Sequence, residues 1–202
     1  FIEKHITAIT SLPLVDVTAI KERNFRIVID PVNSTGALFV PELLKALGVE
    51  EKNITVINAE VNGRFAHNPE PLPENLAELS AVVSKTGADL GIAVDPDVDR
   101  LCFVCEDGSM FGEEYTLVAV ADYVLGKKTG NTVSNMSSTR ALKDITLKHG
   151  GQYYPSAVGE VNVVTRMKEV NAVIGGEGNG GIIVPELHYG RDALVGIALF
   201  LT

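Results

Sequence analysis

Three aspartates, Asp95, Asp97 and Asp99, alternate along the stretch GIAVDPDVDRLCFV, and Arg100 follows directly. Apolar runs enclose them. Carboxylates this close repel one another unless something positive sits among them. Aspartates at i, i+2 and i+4 beyond a strand end can bend around one hard cation, and their oxygens suit Mg²⁺ or Ca²⁺. Mg²⁺ is favoured where a phosphate completes the shell. Arg100 adds a planar, permanently charged fork for phosphoryl oxygens. The bland alternative is a solvated acidic turn.

The second suggestive stretch is GEGNGG, residues 176–181. Gly176, Gly178 and Gly181 match G-x-G-x-x-G, but a dinucleotide fold needs a helix next. Here IIVPEL follows and reads as another strand. The glycines instead allow the backbone close approach to a ligand. Glu177 and Asn179 supply an acceptor and a donor–acceptor of the kind that reads hydroxyls. A plain glycine hairpin is the alternative.

Two other readings of the aspartates compete. Asp95, Asp97, Asp99 and Glu106 fall at positions 1, 3, 5 and 12 of a calcium-binding EF-hand loop. Position 6 of that loop demands glycine, and Arg100 stands there. A haloacid-dehalogenase-like phosphatase, with Asp95 as nucleophile, fits until Asp99, where threonine or valine is wanted. No later acidic pair completes such a site.

The pattern predicts the elements that position these loops. FRIVID (25–30), NITVINAEV (53–61) and ADLGIAV (88–94) read as strands. ALFVPELLKALG (37–48) reads as a helix ending at Gly48, with Pro41 tolerated only in a first turn. LAELSAVVSKTG puts Leu76, Leu79, Val82 and Val83 on one helical face. The order then restarts: strands at 131–136, 152–158 and 171–175, with helices between them. Strand–helix–strand–helix–strand thus occurs twice, so we expect two α/β domains meeting near Gly108–Gly112. Loops 95–100 and 176–181 each follow the third strand of a half. Ligands of open α/β sheets bind at the carboxyl ends of strands, so both loops are expected to face one cleft.

Composition bounds the function. Of the residues, 46% are hydrophobic, and 17 basic against 26 acidic side chains leave a net charge of -9. With no basic block, a nucleic-acid partner is not expected. No apolar run approaches the ~20 residues that span a bilayer, and no signal peptide is recognised. Cys102 and Cys105 share one apparent strand, and at i and i+3 they face opposite sides, so no disulfide is expected. Buried thiols in a cytoplasmic protein are the reading. The chain begins at Phe1 and stops just after ALVGIALFL, which reads as a piece of a longer protein.

Taken together, VIDPVNSTG, LLKALGVE, HNPEPLPENL, GADLGIAVDPDVDR, DGSMFG, AVGEVNVV, VIGGEGNGG and HYGRDAL resemble the phosphoglucomutase/phosphomannomutase (phosphohexomutase) family over essentially the whole chain. The aspartate–arginine loop is the specific element. Family proteins have four domains, and this chain looks like the second (1–107, metal loop) and third (108–202, sugar loop). The resemblance implies two tandem three-layer α/β/α domains with mixed, mostly parallel sheets. It implies an isomerase that moves a phosphoryl group between the 1- and 6-positions of a hexose, through a phosphoserine and a bisphosphorylated sugar. It assigns Mg²⁺ to Asp95, Asp97 and Asp99, and the phosphoserine or transferring phosphoryl group to Arg100. Sugar hydroxyls fall to Glu177 and Asn179 in the loop of Gly176 and Gly178. Gly181 stands where many members carry histidine. The phosphoserine domain and a phosphate-gripping domain are partners outside this chain, which alone is expected to be inactive. AHNP at 66–69 imitates the family's Ser-His-Asn-Pro stretch, but Ala66 has no hydroxyl, so His67 reads as structural or solvent-exposed.

Overall fold

A computed structural model describes residues 1–202. Its first sheet contains β1 (Ile27–Asp30), β2 (Ile54–Val56), β3 (Leu90–Val94) and β4 (Leu101–Cys105), in the order β2-β1-β3-β4. The second contains β5 (Asn131–Asn135), β6 (Tyr153–Ser156), β7 (Ala172–Gly176) and β8 (Ile182–Ile183), in the order β6-β5-β7-β8. In both, the first three strands are parallel and the fourth is antiparallel. The repeated pattern is therefore a repeated topology. The fold is α/β with mixed, mostly parallel sheets.

Side-chain alternation sorts the first sheet into two faces. Val28, Ala93, Cys102 and Val104 pack under α4 (Ala77–Thr86) with Leu79 and Val83. Ile27, Ile29, Ile92, Leu101 and Phe103 turn the other way, toward α3 (Gly36–Ala46), α1 (Ile2–Thr10) and α8 (Ala193–Leu201). In the second sheet Val133 and Ile183 pack under α7 (Glu160–Glu169) with Val163 and Met167. Ile174 and Ile182 face inward, toward α5 (Glu113–Lys127) and α8. The inner helices form one shared layer, and a 34-residue apolar cluster runs through it from Ile6 to Leu201. Phe200 of α8 stacks on Phe103 of β4 at 3.8 Å between ring centroids.

Several elements depart from the sequence pattern. The strand expected at 53–61 ends at Val56, because Asn58 takes a left-handed conformation (φ 47). Its carbonyl accepts the Asn33 N–H, and its side chain donates to Asp30 and Glu78. The strand expected from IIVPEL stops after Ile183, since Pro185 has no N–H to offer a ladder and Leu187 N–H turns back to Val184. Pro41 lies in the second turn of α3, not the first. That helix closes with Val49 N–H on the Leu44 carbonyl and Gly48 at φ 91, a Schellman-type end. Pro155 sits in β6, an edge strand, where its missing donor is harmless.

Helices α1, α2 (Val17–Arg23), α5 and α8 lie outside the elements read from the pattern. No helix is long and apolar enough to cross a membrane. Both cysteines are free, and burial pushes the Cys102 thiol up to about 12, with the Glu113 charge adding to it.

Candidate functional site

Pairing of β3 with β4 runs out at Val94 and Leu101. The residues between them, 95–100, form the aspartate loop. Asp95, 6% exposed, organises it. Its Oδ1 accepts the N–H groups of Asp99 and Arg100, both at 3.0 Å. Its carbonyl accepts Val98 N–H, which holds that β-branched residue at φ 61, a conformation it adopts only under constraint. From the other side the VNSTG turn clasps the loop, with Ser34 and Thr35 hydroxyls donating to the Pro96 carbonyl at 3.0 and 2.7 Å.

The loop gathers ligand atoms from Asp95, Asp97 and Asp99, all within 4.8 Å of one another. Burial raises the Asp95 carboxyl, the Arg100 N–H opposes this, and the charges of Asp99 and Asp97 add to it, leaving the group at about 7. Asp99 Oδ1 is buried without a hydrogen-bond partner. An orphaned carboxylate oxygen beside a second carboxylate that resists ionising is a donor set suited to a small divalent cation. The residues fit the ion that the resemblance implies.

Arg100 leans back over the loop, its Nε 3.7 Å from Asp95 Oδ2 and its Nη1 3.4 Å from Glu70 Oε1. It retains 30% exposure, so its fork is reachable from solvent. His67 Nε2 meets Oδ2 of the fully buried Asp30 side chain at 3.0 Å. This ties the AHNP loop to the end of β1.

Glu177 leads the second loop and is 4% exposed. Its Oε1 accepts from Asn135 Nδ2 at 2.7 Å and from Gly159 N–H at 3.2 Å. The Asn135 side-chain carbonyl is in turn held by the Ser137 and Ser138 hydroxyls. Asn179 Oδ1 accepts the N–H of Gly181 at 3.2 Å. The glycines are crowded by the chain itself. Gly176 pairs in β7, and Gly178 lies against Ser138. Gly180 has φ +84, and a Cβ on it would meet the Leu101 carbonyl at 2.2 Å. A Cβ on Gly181 would meet Arg191 Cδ at 2.4 Å.

The two loops join. Leu101 N–H donates to the Gly180 carbonyl at 3.2 Å, Arg100 bridges to Gly181, and Ala193 N–H donates to the Val98 carbonyl. The connecting side chain is Arg191, which the spacing argument did not single out. Its Nη2 meets Asp99 Oδ2, its Nη1 meets Glu177 Oε2 at 2.8 Å, and its Nε lies 3.5 Å from Glu160 Oε2. Burial works against its charge, yet Asp99, Glu177 and Glu160 outweigh it and hold its proton more tightly than usual. Its only signal in the sequence is the HYGRDAL stretch, a single arginine after glycine.

Comparison with known proteins supplies the wider frame. The family model described as phosphoglucomutase/phosphomannomutase, alpha/beta/alpha domain II, matches residues 3–108, and that of domain III matches 112–202. A phosphoglucomutase/phosphomannomutase of Thermococcus kodakarensis is 39% identical over 180 residues, covering 88% of this chain and 39% of the relative. A phosphoglucosamine/phosphogalactosamine mutase of Sulfurisphaera tokodaii is 35% identical, covering 93% of this chain and 41% of the relative. The crystal structure of a phosphoglucomutase/phosphomannomutase family protein from Burkholderia thailandensis superposes with a TM-score of 0.86 at 28% identity, over 99% of this chain and 43% of that one. The chain thus spans about two fifths of the curated relatives it matches. The phosphatase alternative does not survive. The matching models are mutase domains, and Asp95, its required nucleophile, has one oxygen capped by two N–H groups and the other facing Arg100.

Proposed function

Because the chain belongs to the phosphoglucomutase/phosphomannomutase family, we propose that it carries the metal loop and the sugar loop of an isomerase that moves a phosphoryl group between two hydroxyls of a hexose phosphate. The observation that carries this reading is the Asp99–Arg191–Glu177 chain of ion pairs, which fixes one loop against the other. Asp95, Asp97 and Asp99 would hold Mg²⁺. When bound, that ion supplies a Lewis acid that draws charge from a phosphoryl oxygen. Arg100 offers its guanidinium to the phosphoryl oxygens, whose charge grows as the group transfers. Glu177 and Asn179 orient the sugar through its hydroxyls. Glu177 keeps its carboxylate in place through Asn135, Gly159 and Arg191, so its acceptor geometry is set before substrate arrives.

The phosphoserine donor and the grip on the distal phosphate belong to parts of the protein outside these residues. Two free thiols, with Cys102 buried and Cys105 partly exposed, and carboxylate-bound Mg²⁺ in sugar-phosphate metabolism fit a cytoplasmic setting.

The test joins the chain to the flanking parts its relatives possess and offers glucose, mannose and glucosamine 1-phosphates. Mg²⁺-dependent conversion of at least one to its 6-phosphate is expected. Arg100→Ala should lower kcat by roughly 100-fold or more, the loss seen when one charge-stabilising donor is removed. Failure to isomerise any hexose phosphate would end this reading.

A further inference from the structure

A second convergence of ligand atoms shares no residue with the aspartate triad and opens on the same cavity as Asp97. His5 of α1, His188 of the segment after β8, and Asp192 at the N-cap of α8 bring their ligand atoms within 4.8 Å of one another. His5 Nε2 lies 2.8 Å and His188 Nε2 3.0 Å from the same oxygen, Asp192 Oδ2. Two imidazole nitrogens therefore crowd one carboxylate oxygen. We propose that His5, His188 and Asp192 bind a borderline-soft divalent ion of the zinc class, at a site separate from the aspartate triad.

Geometry and chemistry support this independently. Around a tetrahedral zinc, nitrogen and oxygen ligands at 2.0–2.1 Å stand roughly 3.3 Å apart. The two separations from Asp192 Oδ2, 2.8 and 3.0 Å, would widen by a few tenths of an ångström, and the two imidazole nitrogens, within 4.8 Å of one another, would settle to the same spacing. Each imidazole must present a bare Nε2 to the ion, which a neutral ring does by carrying its proton on Nδ1. The carboxylate is already aimed. Asp192 Oδ1 accepts the N–H groups of Leu194 and Val195 at 2.8 and 3.2 Å, which leaves Oδ2 for the ion. Such outer hydrogen bonds are what orient ligands in protein metal sites.

Access and selectivity follow from the surroundings. Asp192 is buried, but His5 and His188 keep 31% and 42% of their side-chain surface exposed. All three line a cavity of ≈ 550 Å³ that also holds Phe39, Leu194 and Asp97. That cavity leaves a fourth position for water or another oxygen ligand. The neighbouring Arg191 is committed to Asp99, Glu177 and Glu160 and does not compete for Asp192. Two imidazoles with one carboxylate favour zinc over magnesium, whereas the oxygen-only triad suits magnesium. One chain would then sort two metals by donor chemistry.

The test is zinc titration of the metal-free chain in competition with a chromophoric chelator. Equimolar binding is expected that millimolar Mg²⁺ does not displace. His5→Gln and His188→Gln should each weaken it by roughly tenfold or more, a loss that even outer partners of a metal site can give. An Asp95→Asn/Asp97→Asn variant should bind zinc as tightly as the parent chain. Cobalt(II) added to the unaltered chain should give the intense visible absorption of a four-coordinate ion, a readout that needs no variant to fold. At a hundredfold excess over Kd, zinc should raise the Tm by roughly 5–10 °C. Zinc binding that survives the His5→Gln/His188→Gln double variant, or that disappears in the aspartate variant, would overturn the proposal. So would a weak octahedral cobalt spectrum.

Discussion

Asp95 and Asp97 are two residues apart yet live in different media: Asp95 is buried and Asp97 exposed. The difference gives the loop a pH signature. A carboxyl held at about 7 in the folded chain and near 3.9 unfolded binds more protons when folded across that interval. Stability of the metal-free chain therefore falls as pH rises from about 4 to 7. Added Mg²⁺ should recover it most at pH 8 and little at pH 5, read from urea midpoints at each pH. Asp95→Asn should flatten the pH dependence, and a variant as pH-sensitive as the parent would refute the assignment. Arg191 sets the opposite problem, since removing it leaves the buried Glu177 and the half-buried Asp99 without their counter-charge. Arg191→Ala should cost about 3 kcal/mol or more. Glu177→Gln keeps the shape and loses only one charge, so denaturant unfolding should place it well below that.

At the scale of elements, the hairpins that carry the two loops are locked by backbone fit. Gly180 at φ +84 lies where a Cβ would strike the Leu101 carbonyl. Gly180→Ala should destabilise by about 2–3 kcal/mol, since a strained backbone and a clash with β4 act together. A change within 0.5 kcal/mol would mean that the loops separate easily. Continuous apolar runs and turn residues make most strands legible, because each is short and bounded by glycine, proline or asparagine. The site loops were legible because their aspartates and glycines break that pattern. Other features were not. In α5, buried residues from Thr116 to Leu125 fall around much of the circumference, so no single stripe marks a helix. α8 is apolar almost throughout, and only its Asp192 cap announces it. Arg191 was missed because an ion pair that joins two loops leaves no local period.

At the scale of the whole molecule, two sheets share one apolar layer. The sequence suggests two α/β domains meeting near Gly108–Gly112. Each sheet does keep a private apolar cluster on its outer face, under α4 or α7. The inner faces share the 34-residue cluster. The contributors cross over: α8, last in the chain, packs its Phe200 against Phe103 of the first half. Tyr123 of α5 donates its hydroxyl to the Leu14 carbonyl at 2.8 Å. Neither half can therefore bury its inner face alone. Residues 1–107 or 108–202 produced separately should expose that face, bind hydrophobic dyes and lack a cooperative melt. The whole chain should melt in a single transition whose calorimetric and van't Hoff enthalpies agree. Phe200 is partly buried, so Phe200→Ala should destabilise it by about 2–3 kcal/mol, less than the loss of a fully buried phenylalanine. Hydrogen exchange should report that loss in β1 and β5 together, because a void at the shared layer weakens both sheets. Protection lost in only one sheet would show that the halves fold apart. The paired loops would then owe their register to Arg191 and the hairpin contacts rather than to the core beneath them.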